Sequence, residues 1–225
     1  MSALSVALLE KTFGAKAVLG KIAFDIAPGE RAALLGPSGV GKSTLLSLIA
    51  GLDQDHTGNI AAPPLAMVFQ TPRLLPWRTL TQNLLLAVPT ASEAEAREAL
   101  AEVGLAAAAD EHPEKASLGM QRRAALARAL LAKPQLMLMD EPLVSLDVEA
   151  AASMRALLIR TLDLTGAAAL IATHDRREAL ALADRILEID GEPAELRRDQ
   201  ISPLSRDERG DASKIEALHK EWFGD

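Results

Sequence analysis

The sequence predicts an α/β fold with a mainly parallel sheet and an inserted helical lobe. Strand-like and helix-like patterns alternate along most of the chain. Residues 136–139 and 168–172 are apolar without interruption, as parallel strands covered on both faces are. Residues 71–133, between two strand patterns, have a separate helical texture.

Taken in order, Ile22, Phe24 and Ile26 alternate with polar or small residues, a half-buried strand that stops at Pro28-Gly29. Residues 31–35 form a short strand running into a glycine-rich turn. A helix over 42–50 follows, closed by Gly51. Residues 65–69 are a further strand bounded by Pro63-Pro64. Within the lobe, Ser92 and Glu95 form a capping box for a helix running towards Gly104, and a second helix covers about 118–132. After the two apolar strands, a final strand over 185–189 ends at Asp190-Gly191. These elements define one domain over 1–191, followed by a polar tail over 192–225. Asp211 caps a short C-terminal helix with Ile215, Leu218 and Trp222 on one face, which reads as docking on the core or, alternatively, binding a partner.

Composition narrows the function. The chain has 225 residues, enough for one sizeable core without a disulfide or metal staple. It contains no cysteine, which excludes thiol catalysis, iron–sulfur clusters and cysteine-based zinc sites. Lys+Arg 24 against Asp+Glu 31 gives a net charge of −7, which offers no broad basic footprint for nucleic acid. No apolar stretch has the length of a membrane span, and the start lacks the pattern of a secretory leader. The expected location is cytoplasmic, with any membrane role exercised through a partner.

The strongest chemical signal is Gly36-Pro37-Ser38-Gly39-Val40-Gly41-Lys42-Ser43, followed by Thr44. Glycines at this spacing let successive main-chain N–H groups point inwards around phosphate oxygens. Lys42 brings a compact positive charge to the β- and γ-phosphates, and the Ser43 hydroxyl is suited to one Mg²⁺ position. The strand before and the helix after this turn supply the context the motif needs, with the helix dipole aimed at the anion.

A second cluster lies at the end of the 136–139 strand, where Asp140 and Glu141 precede Pro142. Ligands of open α/β sheets bind at the carboxyl ends of strands. Asp140 is expected to hold Mg²⁺ through water, and Glu141 to orient or deprotonate the water that attacks the γ-phosphate. His174 ends the 168–172 strand, and Asp175 with Glu178 reads as a capping box for the next helix. There His174 can hydrogen-bond the γ-phosphate and hold Glu141.

Over about residues 4–190 this order of motifs strongly resembles the ATP-binding subunits of ABC transporters. The resemblance implies a P-loop NTPase core with a mainly parallel sheet, an antiparallel β edge and an inserted helical lobe. It places Gln70 at the glutamine loop that reaches Mg²⁺ and the attacking water. It also places Ser117 and Gly119 in the signature region, Asp147 in the following D-loop, His174 as the switch histidine and Phe13 where an aromatic ring stacks on adenine. Asp147 also reads as an ordinary helix N-cap, and Phe13 as a core phenylalanine.

ATP and Mg²⁺ are the implied cofactors. The implied partners are a membrane permease, a second ATPase subunit (the same chain or a sister) in a head-to-tail dimer and, indirectly, an external solute-binding protein. The chain would then lie peripherally on the inner face of the cell membrane. Residues 69–78, with Leu74, Leu75 and Trp77, resemble the importer branch serving nitrate, sulfonates and taurine, where this stretch meets the permease; packing within the lobe is the plainer reading.

The signature departs from the family pattern, because Leu118 replaces its first glycine and Met120 follows Gly119. With Ser117 as N-cap, Leu118 falls on the first helical position, where any L-residue is unstrained. Its side chain is expected to weaken, without abolishing, the approach of a partner's γ-phosphate. The leading expectation is a Mg²⁺-dependent ATPase that energises solute import. The alternative is a nucleotide-gated interaction subunit with little hydrolysis of its own.

Overall fold

The computed structural model describes residues 3–224, so the two chain ends named in the domain limits lie outside the described residues. Among the described residues, ten strands form two sheets. The first strand, β1 (Leu4–Phe13), sits between β2 (Lys16–Leu19) and β3 (Ile22–Ile26) and also pairs with β5 (Thr57–Ala61), all antiparallel. The second sheet has the order β10 (Glu195–Ile201), β9 (Arg185–Asp190), β4 (Arg31–Leu35), β8 (Ala168–Thr173), β7 (Leu136–Asp140), β6 (Leu65–Val68). Every pairing within it is parallel except that of β10 with β9.

Strand alternation divides the core. Ala32 and Leu34, Leu136 and Leu138, Ala168 and Leu170, and Leu187 and Ile189 all face the first sheet and helix α1 (Lys42–Ile49). The intervening residues face the other way. Met137, Met139, Ala169 and Ile171 pack against α5 (Val148–Thr165) and the helical segments between β6 and β7. Ala33, Leu35 and Ile186 pack against α6 (Arg176–Leu182) and α7 (Ala212–Phe223). Strands covered on both faces have no polar side to show, which is why β4, β7 and β8 are buried at every position. Each large aliphatic side chain sealed here stabilises the fold by about 1.5–3 kcal/mol.

Between β6 and β7 lie α2 (Leu80–Ala87), α3 (Glu93–Glu102), two short 3-10 turns (Ala106–Ala108 and Pro113–Lys115) and α4 (Leu118–Leu131). Ser92 and Glu95 form the reciprocal capping box of α3. Helix α2 has the same device in Thr79 and Gln82, which the sequence reading passed over.

Two expectations need correction. The strand over 185–189 is not the last one, because the polar stretch after it supplies β10 at the sheet edge. Glu178 is not half of a capping box either. Asp175 accepts from the N–H groups of Arg177 and Glu178, but the Glu178 carboxylate turns back to Thr173. The C-terminal helix buries Ile215 and Leu218 against α6, with Trp222 packed partly beside them, so it covers the core.

Candidate functional site

The carboxyl ends of β4, β6, β7 and β8 lie along one edge of the second sheet, since all four strands run parallel in close register. The chain leaves β4 into the glycine turn, β6 into Gln70, β7 into Glu141 and β8 into His174. A cleft of about 270 Å³ is lined by Ser38, Gly39, Gly41, Lys42, Ser43, Thr44, Gln70 and Glu141. Residues spread over a hundred positions of sequence thus meet in one place.

The turn requires its glycines for two separate reasons. Gly41, the residue before α1, has φ 117°, and a Cβ there would stand 2.6 Å from Leu19 Cδ2. A Cβ on Gly36 would meet the Ile189 carbonyl oxygen at 2.5 Å. No side chain caps α1, so its first N–H groups face the cleft. Pro37 and Val40 line a neighbouring cleft of about 340 Å³ with Lys16, Ala17, Val18 and Asp190.

Lys42 is buried and its ammonium group donates to the carbonyls of Gly36 at 2.8 Å and Pro37 at 2.9 Å. Burial pushes its pKa down, against the pull of the Glu141 and Asp140 charges. Asp140, at the end of β7, is also buried; burial pushes its pKa up, opposed by a hydrogen bond from Ser43. Its Oδ1 has no hydrogen-bond partner among the described residues. An orphaned buried carboxylate oxygen beside a serine hydroxyl and a phosphate turn is a donor set that suits Mg²⁺, which prefers hard oxygens and keeps its remaining ligands as water or phosphate.

Glu141 is held at φ 46°, an unusual backbone for a residue with a side chain, and its N–H donates to the Ala172 carbonyl at 2.9 Å. One carboxylate oxygen, Oε1, stands 3.2 Å from His174 Nδ1 and 3.7 Å from Lys42 Nζ. The geometry therefore links the acidic pair, the lysine and the histidine. With Nδ1 turned to Glu141, the other ring nitrogen of His174 remains for a ligand.

Gln70 begins a loop that is tied to α4. Arg128 on α4 donates to the carbonyls of Pro72 at 2.8 Å and Arg73 at 2.9 Å, and the Arg73 guanidinium lies 3.8 Å from the Phe69 ring centroid. Ser117 caps the other end of α4, accepting from the Met120 N–H at 3.3 Å, with Leu118 at the first helical position and 46% exposed. Ser117 and Gly119 do not line the cleft that holds Lys42. Asp147 caps α5 through the Ala150 N–H at 2.8 Å and is likewise outside that cleft. Phe13 is not a core residue: it is 55% exposed, with Lys11 Nζ at 4.6 Å from its ring centroid. Packing does not explain Trp77 either, which is 67% exposed, whereas Leu74 packs against the lobe.

Sequence reasoning missed Thr173 and Arg155, which join Glu178, Glu141 and His174 around a further cavity. Thr173 is the last residue of an otherwise apolar strand, and a hydroxyl at that point was the available signal.

A phosphate turn at the end of a buried strand, an acidic pair on its neighbour and a helical lobe between them define a P-loop nucleotide-hydrolase core. A family model described as ABC transporter matches residues 19–144, and the chain belongs to that family. It is 44% identical over 191 residues to the aliphatic sulfonates import ATP-binding protein SsuB 1 of Streptomyces avermitilis, covering 84% of this chain and 74% of that protein. It is 42% identical to SsuB 1 of Burkholderia cenocepacia, spanning 91% of this chain and 66% of that longer relative. Among solved structures, a dimeric ATP-binding cassette in a post-hydrolysis state bound to ADP and Pi superposes with a TM-score of 0.77. That chain is 26% identical, and the match covers 90% of this chain and all of the other.

Proposed function

We propose that this chain is the ATP-hydrolysing subunit of an importer for aliphatic sulfonates, working on a separate membrane permease. The observation that carries the proposal is the meeting of Lys42, Ser43, Gln70 and Glu141 in one cleft, with Glu141 in contact with His174. The sulfonate assignment rests on relatives of 42–48% identity whose names carry that substrate. Among the described residues no helix is long and apolar enough to cross a membrane, so the passage itself falls to a partner. The exposed Trp77, on the loop that follows Gln70, is the surface we assign to permease contact.

In this reading the main-chain N–H groups of the turn and Lys42 hold the triphosphate, exchanging the Gly36 and Pro37 carbonyls for phosphate oxygens. Ser43 and Asp140 would hold Mg²⁺, with Gln70 beside them; the ion would neutralise charge between the β- and γ-phosphates. Glu141 accepts a hydrogen bond from the attacking water and takes its proton as the water oxygen bonds the γ-phosphorus and the bond from that phosphorus to the β–γ bridging oxygen breaks, so that ADP leaves and inorganic phosphate is formed. His174 fixes the Glu141 carboxylate by donating from Nδ1–H and, as the imidazolium that two such bonds require, donates its Nε2–H to a γ-phosphate oxygen. Phe13, exposed at the end of β1, is the residue we assign to stacking on the base.

The test is Glu141→Gln. Calorimetry should find MgATP binding preserved, while turnover falls by roughly 10²- to 10⁴-fold, the range of a lost general base. Undiminished turnover removes Glu141 from this role. Wild-type ATPase in vesicles with permease and binding protein should rise with an aliphatic sulfonate and not with nitrate. The second reading, a nucleotide-gated subunit with little hydrolysis, draws on Leu118 alone; it predicts binding with turnover already as slow as in Glu141→Gln.

A further inference from the structure

Among the described residues His174 makes one side-chain hydrogen bond, with Glu141, and its ring is nearly half exposed. Something else must therefore direct the turn that carries it. The residues on either side of His174 are joined by a single hydroxyl. Thr173 Oγ1 donates its only proton to Glu178 Oε2 at 2.9 Å and accepts from the Asp175 N–H at 3.1 Å. Asp175 in turn accepts from the N–H groups of Arg177 and Glu178, which fixes the start of α6 on the same turn.

Glu178 is more than nine-tenths buried, an expensive place for a carboxyl group whose packing an aliphatic side chain would match. Its Oε1 and the Nε of Arg155, on α5, both lack hydrogen-bond partners among the described residues. Both residues line a cavity of about 410 Å³ that also contains Glu141 and His174. A buried, incompletely paired carboxyl group therefore sits directly behind the reactive dyad.

We propose that Thr173 and Glu178 are positioning residues for hydrolysis: the Glu178 carboxylate orients the Thr173 hydroxyl, and that hydroxyl closes the turn so that His174 reaches Glu141 and the γ-phosphate. This rests on the roles given above to His174 and Glu141. Ionisation strengthens the acceptor at Oε2, because hydrogen bonds to a carboxylate exceed those to a neutral acid. Burial pushes the Glu178 carboxyl up to about 7, with the Asp175 charge adding and the Thr173 bond, Arg155 and His174 opposing. Arg155 from α5, Glu141 after β7, and His174 and Asp175 after β8 supply the other charged or titratable groups lining the cavity; α7 and β4 place none in it. The clamp should therefore tighten as pH rises through neutrality.

The experiment uses the full chain with Thr173→Val, Thr173→Ser, Glu178→Gln and His174→Ala, measuring MgATP affinity by calorimetry and kcat and KM between pH 6 and 9. Thr173→Val should lower kcat by about tenfold, the worth of one hydrogen bond to a charged group, with affinity within about twofold of wild type. Thr173→Ser should restore most of it. Glu178→Gln, always able to accept through its amide oxygen, should flatten the rise of kcat between about pH 6 and 8. Wild-type kcat in Thr173→Val, equal loss in the Val and Ser variants, or an unchanged pH profile in Glu178→Gln would each overturn the proposal. Undiminished kcat in His174→Ala would overturn its premise instead, and that failure is told apart because it leaves the Thr173 variants' rates unexplained by His174.

Discussion

Replacing Leu118 with glycine restores a glycine to the signature region, and the structure says what that change should do. Leu118 is the first residue of α4, after the Ser117 cap, and 46% of its surface remains exposed. Backbone geometry does not demand glycine here: a Cβ on the next residue, Gly119, would meet nothing nearer than Ser117 Oγ at 3.9 Å. The cost is thus small, at most about 1 kcal/mol for glycine in a helix plus a fraction of one side chain's burial. Since a domain of this size loses roughly 2–4 °C for each kcal/mol, the melting temperature should fall by about 2–6 °C. The gain is at the N-terminus of α4, where Met120 N–H is taken by Ser117 but the preceding N–H groups are available to an anion. Closer approach of a phosphate to such a terminus is worth about 0.5–1.5 kcal/mol, or roughly two- to tenfold in rate if it is felt mainly in the transition state. Steady-state phosphate release from Leu118→Gly and wild type, at matched protein concentrations above dimerisation, is the assay. A variant that folds, binds MgATP normally and hydrolyses no faster than wild type would refute the idea that the leucine side chain restrains the site.

Two further substitutions test the electrostatics. Burial raises the Glu178 carboxyl from an ordinary 4.5 to about 7, so the native state keeps a proton that the unfolded chain releases. That stability is present in full below about pH 4.5 and is lost as pH rises to about 7, a swing of at most about 3 kcal/mol. The melting temperature of Glu178→Gln relative to wild type should therefore rise between pH 5 and 8; a constant difference refutes the assignment. Asp184 has the opposite sign. Burial would raise its pKa, but the Arg206 guanidinium, the Arg31 N–H and the Arg209 guanidinium outweigh that and hold it at about 2. Its contribution is present above about pH 3.8 and lost as pH falls towards 2. Asp184→Asn should cost about 2 kcal/mol in urea unfolding at pH 7, and a loss below about 0.5 kcal/mol would show the network to be idle.

What the sequence reveals depends on how each strand is covered. β4, β7 and β8 are sandwiched between layers, so hydrophobicity alone marks them. β1 is harder to see because Leu9 faces out and is 53% exposed, which breaks the alternation of Leu4, Val6 and Leu8. β5 offers little pattern at all: Gly58 sits at φ 127° with a would-be Cβ 2.4 Å from the Ala7 carbonyl, so close strand approach rather than burial dictates it. β10 reads as a polar tail because it is an edge, carrying Asp199 paired to Arg185 and Arg198 paired to Glu188 across to β9. Charged side chains on an edge strand oppose further pairing, and the same charges erase its sequence signature. The phosphate turn was legible because its glycine and lysine spacing is written in consecutive residues, although the contacts that demand Gly36 and Gly41 come from distant Ile189 and Leu19. Glu178 was misread because the spacing from Asp175 that makes a capping box equally lets its carboxylate turn back to Thr173.

The division of the site between elements also bears on how many chains it needs. Lys42, Ser43, Gln70 and Glu141 share one cleft, and all of them are carried by the strand ends or the turn after β4. Ser117 and Gly119 belong to α4 and are not among its lining residues. Under the proposed roles, a helix N-terminus on the lobe meets a triphosphate bound at the turn of a second chain. Nucleotide affinity and turnover should then part company. MgATP binding to the separate chains at high dilution depends on the turn alone and should persist there, while the rate per chain should climb with concentration until pairing is complete. Leu118→Gly should steepen that climb without altering affinity at high dilution. A rate per chain that stays constant across a hundredfold dilution through the dissociation range, with binding intact, would place the whole reaction within one chain and remove Ser117 and Gly119 from it.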